Sequence, residues 1–364
     1  MTSARRTLPL AAAAAAVLLL LVSLAVNVGR SEGRSAPDDQ DRDRDRDLRT
    51  VQQQGFVQRE GTRLTVDGRA YRFVGFNTYV LFGCGHPEEN IDDRAREEFF
   101  AGLRPGGVLR IFLLPDTDLA DFDEVVHDAG RYGQRLVVVL GDHHGECGST
   151  PKDDEFYESG FRDEYLDWVR TVVPPYSDVP TIAMWELMNE PRTTDTDTLR
   201  AFFDEAGGLV HELDPNHLVS SGTLQPDTLG GLDAFTTLSA SPGIDVVSLH
   251  EYDAVDDVSH HLGPALDAAE AVDKPLMVGE WGLYAGLPGA GPVRDTPCYS
   301  VQERAEVAEA KLRGYLDVPG VAGALYWSYM AEGAAPDDDT CTLSTTSTDP
   351  LTRMIRNIPI PVPE

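Results

Sequence analysis

Two short runs carry the residues best suited to chemistry. Ala183-Met184-Trp185-Glu186-Leu187-Met188-Asn189-Glu190-Pro191-Arg192 begins as an apolar run and ends in Asn-Glu-Pro. Such a run is expected as a buried parallel strand. Proline has no N–H to give to a sheet ladder, so pairing stops there. Glu190 therefore falls at the carboxyl end of a strand, where α/β folds hold their ligands. A second apolar run, Pro275 to Val278, leads to Glu280-Trp281-Gly282. One glutamate before a proline can simply terminate a strand. Two strand-end glutamates can do more: one protonates a leaving oxygen while the other attacks a sugar carbon, which is the chemistry of glycosidic bond cleavage.

Such a pair needs a scaffold that brings distant strand ends together. Alternating residues from Phe56 to Phe76, with Asp67-Gly68 between two runs, predict a short N-terminal β-hairpin. The hairpin is expected to plug the bottom of a barrel and lead into a first strand ending Gly75-Phe76-Asn77-Thr78-Tyr79. Further strands are predicted at Val108–Leu113, Arg135–Leu140, Ala183 onward, His217–Ser220, Ile244–Leu249, Pro275–Val278 and Val321–Trp327. Helix-length segments separate them, including Phe122–Tyr132, Phe161–Val173, Leu199–Leu213, Val258–Val272 and Val301–Leu316. Eight βα units in one domain predict an α/β fold of the (β/α)8 barrel type. An open doubly wound sheet usually carries a glycine-rich phosphate turn; the chain has no GxGxxG, no P-loop and no GxSxG elbow.

Polar and aromatic residues recur at the predicted strand ends: Asn77, Arg110, His144, Asn189, His250, Tyr252, Trp281 and Trp327, beside Glu190 and Glu280. Singly, Arg110 could be an ion-pair partner, His250 a core histidine and Trp327 packing. In a barrel these ends converge on one mouth, so together they predict an active site. Arg110 and the Tyr252 hydroxyl are expected to keep Glu280 ionised, and Glu190 is expected to begin protonated. Asn189 is expected to hold a sugar 2-hydroxyl, Trp327 to offer an apolar face and Trp281 to add a wall. Asp142, His143, His144, Glu146 and Cys147 could instead form a metal cluster. They crowd into one loop with no second cluster paired to it, so neither a metal nor a cofactor is expected.

The net charge of −31, from 61 acidic and 30 basic residues, argues against a nucleic-acid partner. Residues 1–28 carry Arg5 and Arg6 before an apolar run, the character of a cleaved signal peptide or an uncleaved signal anchor. Residues 29–52, rich in alternating Asp and Arg, are expected to be a disordered linker. Residues 53–364 then form the catalytic domain, outside the cytoplasm, either secreted or anchored on the outer face of the membrane. A monomer is expected. The four cysteines all fall in predicted loops on one face. Four cysteines allow three pairings; neighbouring loops pair most easily, which favours Cys298–Cys341, and although strands one and three are not neighbours, long loops could join Cys84 to Cys147.

With these residues in view, the chain resembles glycoside hydrolase family 5, in the large clan of retaining (β/α)8 glycosidases. The resemblance spans roughly residues 55–330. Its most specific parts are Trp185 to Arg192 and Gly279-Glu280-Trp281-Gly282. Leu64-Thr65-Val66-Asp67-Gly68 through Tyr79, and Phe161 to Arg192, are similar to the endo-β-1,4-mannanases of that family. The resemblance implies Glu190 as acid/base, Glu280 as nucleophile, and Arg110, His144, Asn189, His250, Tyr252 and Trp327 as the supporting set. The run Asp142-His143-His144-Gly145 is more like the cellulase side of the family. The expected activity is retaining hydrolysis of a β-1,4-linked, mannan-type polysaccharide. The alternatives are a β-1,4-glucanase, an exo-β-glycosidase, a metal-dependent hydrolase and a non-catalytic carbohydrate-binding barrel.

Overall fold

The computed structural model describes residues 55–361 except 83, 85–90, 254–256, 287–292, 294–295 and 333–340. The signal segment and the linker expected over 1–52 lie outside the described residues. Among the described residues, no helix is long and apolar enough to cross a membrane.

The chain enters through three short antiparallel strands, β1 (Val57–Glu60), β2 (Arg63–Val66) and β3 (Arg69–Tyr71). The expected hairpin is therefore the second half of a three-stranded meander. Its extra turn is at Gly61, whose φ of +61° suits glycine. Asp67 and Gly68, both at positive φ, make the turn predicted between β2 and β3.

Eight strands follow: β4 (Phe73–Thr78), β5 (Val108–Phe112), β6 (Arg135–Val139), β7 (Ile182–Glu186), β8 (Leu218–Ser220), β9 (Val247–His250), β10 (Leu276–Trp281) and β11 (Val321–Trp327). They pair in the order β8-β7-β6-β5-β4-β11-β10-β9, all parallel. The seam between β8 and β9 is closed by isolated bridges, Ser220 to Val246 and Leu224 to His250. The (β/α)8 barrel expected from the strand-helix alternation is the fold observed.

Among the described residues the helices are α1 (Asp93–Ala101), α2 (Leu119–Arg131), α3 (Asp154–Glu158), α4 (Glu164–Val172), α5 (Thr196–Leu213), α6 (Leu232–Ser239), α7 (Leu262–Ala271), α8 (Val301–Asp317) and α9 (Pro350–Asn357). Side chains cap their first turns where backbone N–H groups would otherwise lack partners: Asp118 for α2, Asp195 for α5, and a Ser300/Glu303 capping box for α8.

Strand periodicity sorts the core into layers. Along β5, Leu109 and Ile111 face the helices, while Val108, Arg110 and Phe112 face the barrel axis, as their separate packing clusters show. At the amino end the axis is apolar: Val108, Val137, Met184, Val246, Met277 and Leu325 pack against Val57 and Leu64 of the meander. The meander is thus the plug expected. One turn of the interior higher, the layer becomes polar, with Asn77, Arg110, Glu186, Ser220, Ser248, His250 and Glu280 all buried. This change of character puts the chemistry at the carboxyl end.

Both expected disulfides form, Cys84–Cys147 and Cys298–Cys341. The first ties the loop after β4 to the loop after β6; the second ties the loops after β10 and β11. They close chain loops of 63 and 43 residues, for which the chain-entropy model gives about 4 kcal/mol each. The Cys298→Ser/Cys341→Ser variant should therefore melt several degrees lower in a calorimetric scan. An unchanged melting temperature would show that the bridge adds nothing to stability.

Candidate active site

The site grows out of register. Around the barrel, Trp327 is level with Asn77, Asn77 with Arg110, Val139 with Glu186, Glu186 with Ser220, and His250 with Glu280. Beyond the formal strand ends the backbone keeps pairing: Asn189 N–H donates to Gly141 at 2.8 Å, and Glu190 N–H donates to Gly222 at 2.9 Å. These bonds carry Glu190 over the mouth. Glu190 itself has φ of +49°, a left-handed backbone that a non-glycine residue adopts at a cost. Gly222, at φ +67°, cannot be larger: a Cβ there would lie 2.1 Å from the Met188 carbonyl oxygen and 2.8 Å from Glu186 Oε1.

Arg110 organises the polar layer. A guanidinium has five N–H donors, and each finds an acceptor. Nε and Nη2 donate to Glu186 Oε1 at 2.8 and 2.5 Å. Nη1 donates to Asn77 Oδ1 at 2.9 Å and to Glu280 Oε1 at 2.6 Å. Nη2 also donates to Asn189 Oδ1 at 2.8 Å. Burial works against the Arg110 charge, but Glu186 and Glu280 outweigh it and hold its pKa above the usual value. Breaking such a buried ion cluster by removing one partner costs about 3–5 kcal/mol.

Glu280 is buried on β10 and receives the Tyr252 hydroxyl at 2.5 Å as well as Arg110. Burial raises the Glu280 pKa, against the pull of His250, Arg110 and the Tyr252 hydrogen bond. Burial and the neighbouring Glu280 charge hold the Tyr252 hydroxyl well above its usual pKa, so it stays a donor. Glu190 is more open, with 14% of its side chain exposed. Burial pushes its pKa up, but His144 Nε2 at 2.7 Å and His250 at 3.1 Å outweigh that and hold it low. The hydrogen bond to Glu190 in turn raises the His144 pKa. The two carboxyl groups are thus shifted in opposite directions, Glu280 upward and Glu190 downward.

His250 lies between the two carboxylates, with Nδ1 3.1 Å from Glu190 and 3.5 Å from Glu280. Its Nε2 has no hydrogen-bond partner. The ring proton is accordingly assigned to Nδ1, where acceptors are. Carboxylate oxygens of Glu190 and Glu280 and a His250 nitrogen all lie within 4.8 Å of one another.

Asn77 is fully buried; its amide donates to the Gly279 and Leu325 carbonyls while its oxygen serves Arg110. It braces the site rather than facing a ligand. Asn189 is clamped on both sides, by Arg110 at its oxygen and by Asp142 Oδ1, 2.9 Å from its nitrogen, leaving one amide proton for a ligand. Trp327 is half-buried, stacked on Tyr79 at 5.8 Å and edge-on to Phe112 at 6.0 Å. A cavity of about 270 Å³ lined by Tyr79, Phe82, Phe112 and the Cys84–Cys147 bridge adjoins this group.

Trp281 does not form a wall. It is fully buried against Tyr315 of α8 and Tyr326. Successive strand residues face opposite sides, so a neighbour of the inward Glu280 points to the helices. The side chains of the His143–His144 loop are engaged in other ways. His143 bonds Tyr157 and Arg192, with its pKa lowered to about 4 by burial. Asp142 holds Asn189 and the Glu146 N–H, His144 holds Glu190, and Cys147 is in its disulfide.

Sequence reasoning assigned no role to Glu186, which anchors Arg110 and accepts from Ser220 Oγ at 2.9 Å. The signal was present: Glu186 is an acidic residue in an apolar strand, two positions after the inward Met184.

Comparison with known proteins agrees with this geometry. Residues 161–285 match the family model for GH family 5 beta-mannosidase-like proteins. A mannan endo-1,4-beta-mannosidase 7 of Oryza sativa subsp. japonica is 28% identical, over 78% of this chain and 90% of that protein. A putative mannan endo-1,4-beta-mannosidase 4 of Arabidopsis thaliana is 26% identical, over 77% of this chain and 84% of its own. In fold, the endo-1,4-beta-mannanase of Rhizomucor miehei superposes with a TM-score of 0.67 at 20% identity, over 83% of this chain and 97% of that one. In sequence the chain is thus similar to mannan endo-1,4-beta-mannosidases and, over residues 161–285, to the family 5 beta-mannosidase-like model, and it shares the barrel fold of an endo-1,4-beta-mannanase.

Proposed function

We propose that the protein is a retaining glycoside hydrolase acting on β-1,4-linked, mannan-type polysaccharide, with Glu280 as nucleophile and Glu190 as acid/base. The observation that carries this reading is the approach of the two carboxylates to within 4.8 Å. Retaining enzymes hold their carboxyl groups about 5–5.5 Å apart, whereas inverting ones leave about 6.5–9.5 Å for a water. The mannan-type substrate rests on the relatives' names. The Asp142-His143-His144-Gly145 run favours β-1,4-glucan as the second reading.

In the first step a Glu280 oxygen bonds to the anomeric carbon as the bond to the leaving oxygen breaks. Arg110 and Tyr252 orient the attacking carboxylate and stabilise its charged form. The leaving oxygen takes a proton from Glu190. That proton is supplied by His144: a bound sugar displaces water from the mouth, desolvation raises the Glu190 pKa, and the proton crosses the 2.7 Å contact. In the second step water gives a proton to Glu190 and its oxygen to the anomeric carbon, which releases Glu280. Asn189 is positioned for the sugar 2-hydroxyl, and Trp327 with Tyr79 offers the ring an aromatic face. The two disulfides support an oxidising compartment, in keeping with the signal character of residues 1–28.

Purified mannan, glucomannan, cellulose, xylan and aryl glycosides, with products sized, should show mannan or glucomannan cleaved fastest. Faster turnover of cellulose would favour the glucanase reading, and no release of sugar from any of them would sink the proposal. Glu190→Gln should lose about 10²–10⁴-fold on polysaccharide yet still release an activated aryl leaving group that needs no proton. Glu280→Ala should lose both activities; wild-type turnover in either variant would refute the assignment.

Tyr252→Phe removes a hydrogen bond that favours ionised Glu280. The Glu280 pKa should rise, and the acid limb of kcat/KM should move to higher pH, with a loss of about 10–100-fold from the missing charge-assisted bond. An acid limb left in place would show that Glu280 does not set it.

A further inference from the structure

Outside the catalytic mouth, a second group of ionisable side chains gathers where the barrel closes. Asp227 lies in the turn Pro226–Leu229 after β8. His260 and His261 lie at the end of the β9 loop, immediately before α7. One ligand-capable atom from each of the three lies within 4.8 Å of the others. His261 Nδ1 is 4.0 Å from Asp227 Oδ2, and the two imidazole centroids are 3.8 Å apart. We propose that Asp227, His260 and His261 form a zinc-binding site that clips the loop after β8 to the loop after β9.

Four features support the assignment. Two imidazoles and a carboxylate are a donor set that suits zinc, completed by water at an exposed position. Asp253 Oδ2 lies 2.9 Å from His260 Nδ1, so a proton held on Nδ1 would leave the Nε2 lone pair to ligate. Metal-bound histidines are commonly oriented by such a carboxylate. Asp253 is itself fixed by the Ser259 hydroxyl at 2.7 Å, so the orienting group is held before metal arrives.

The location supplies the third feature. Between β8 and β9 the described residues form isolated bridges and scattered hydrogen bonds rather than the parallel ladder that joins each other neighbouring pair of barrel strands. A metal held by loops from both strands would close that seam at its upper end. The fourth is access: the Asp227 and His260 side chains are 79% and 75% exposed, so an ion reaches them directly from solvent. Asp253 adjoins Tyr252, whose hydroxyl meets Glu280, so the clip would also steady the loop that carries this donor.

The test is calorimetric titration of zinc chloride into the untagged, chelator-stripped full chain. One equivalent should bind with a micromolar or tighter Kd, and zinc should raise the melting temperature. The His260→Ala/His261→Ala variant should bind at least tenfold more weakly and lose the thermal shift, while its metal-free melting temperature and basal activity stay as in the wild type. Asp227→Asn should also weaken binding at least tenfold. The proposal is overturned by the absence of a micromolar site. It is equally overturned if the double variant binds zinc as tightly as the wild type, as would happen were the ion held by Glu190, His250 and Glu280.

Discussion

A buried guanidinium must place five N–H groups, and much of this site follows from how Arg110 does so. Its acceptors come from four side chains: Asn77 on β4, Glu186 on β7, Asn189 just beyond β7, and Glu280 on β10. Each donor left unpaired would cost about 1–3 kcal/mol or more in so buried a place. The four acceptors are therefore confined to one level of the barrel and to one orientation each. Glu280 thereby acquires a fixed direction and a counter-charge. Asn189 acquires a fixed amide, and Glu190, one residue on, is set across the mouth. Glu186 is fully buried, and it binds Arg110 through two donors rather than one.

The barrel interior divides its labour along the axis. The apolar lower layer and the meander beneath it exclude water and supply packing. The upper layer replaces those contacts with hydrogen bonds among charged groups that already have partners. Desolvation then acts differently on the two glutamates. Glu280 is almost wholly enclosed and depends on fixed donors, Arg110 and Tyr252. Glu190 is partly open and is held by two imidazoles, His144 and His250. In the proposed mechanism a fixed cation suits Glu280, whose charge must persist, and the His144 imidazole suits Glu190, which must gain and lose a proton.

Much of this was legible in the chain. Apolar runs ending in polar residues located several of the barrel strands, β5, β6, β7, β10 and β11 among them, because a strand buried on both faces has no alternation to obscure it. The Cys298–Cys341 pairing followed from the adjacency of the loops after the last two strands. Trp281 was misplaced because proximity in sequence was taken for proximity in space, although neighbouring strand residues face opposite sides. Glu186 was overlooked because it sits inside the run whose end drew attention, and its role exists only through Arg110, 76 positions away. The helix Leu232–Ser239 and the C-terminal helix Pro350–Asn357 were not anticipated; both are short, eight residues each. The downward shift of the Glu190 pKa depends on contacts of 2.7 and 3.1 Å with His144 and His250, which no spacing along the chain encodes.

The central claim is that Glu190 and Glu280 work on one anomeric centre through a covalent intermediate, with an oxygen of each carboxylate within 4.8 Å of the other. The stereochemistry of the first product tests this most directly. Proton NMR of a β-linked manno-oligosaccharide during its first minutes of hydrolysis should show the β-anomer appearing first, with the α-anomer growing only by mutarotation. An α-anomer formed first would mean inversion, and would contradict the roles derived for both carboxylates.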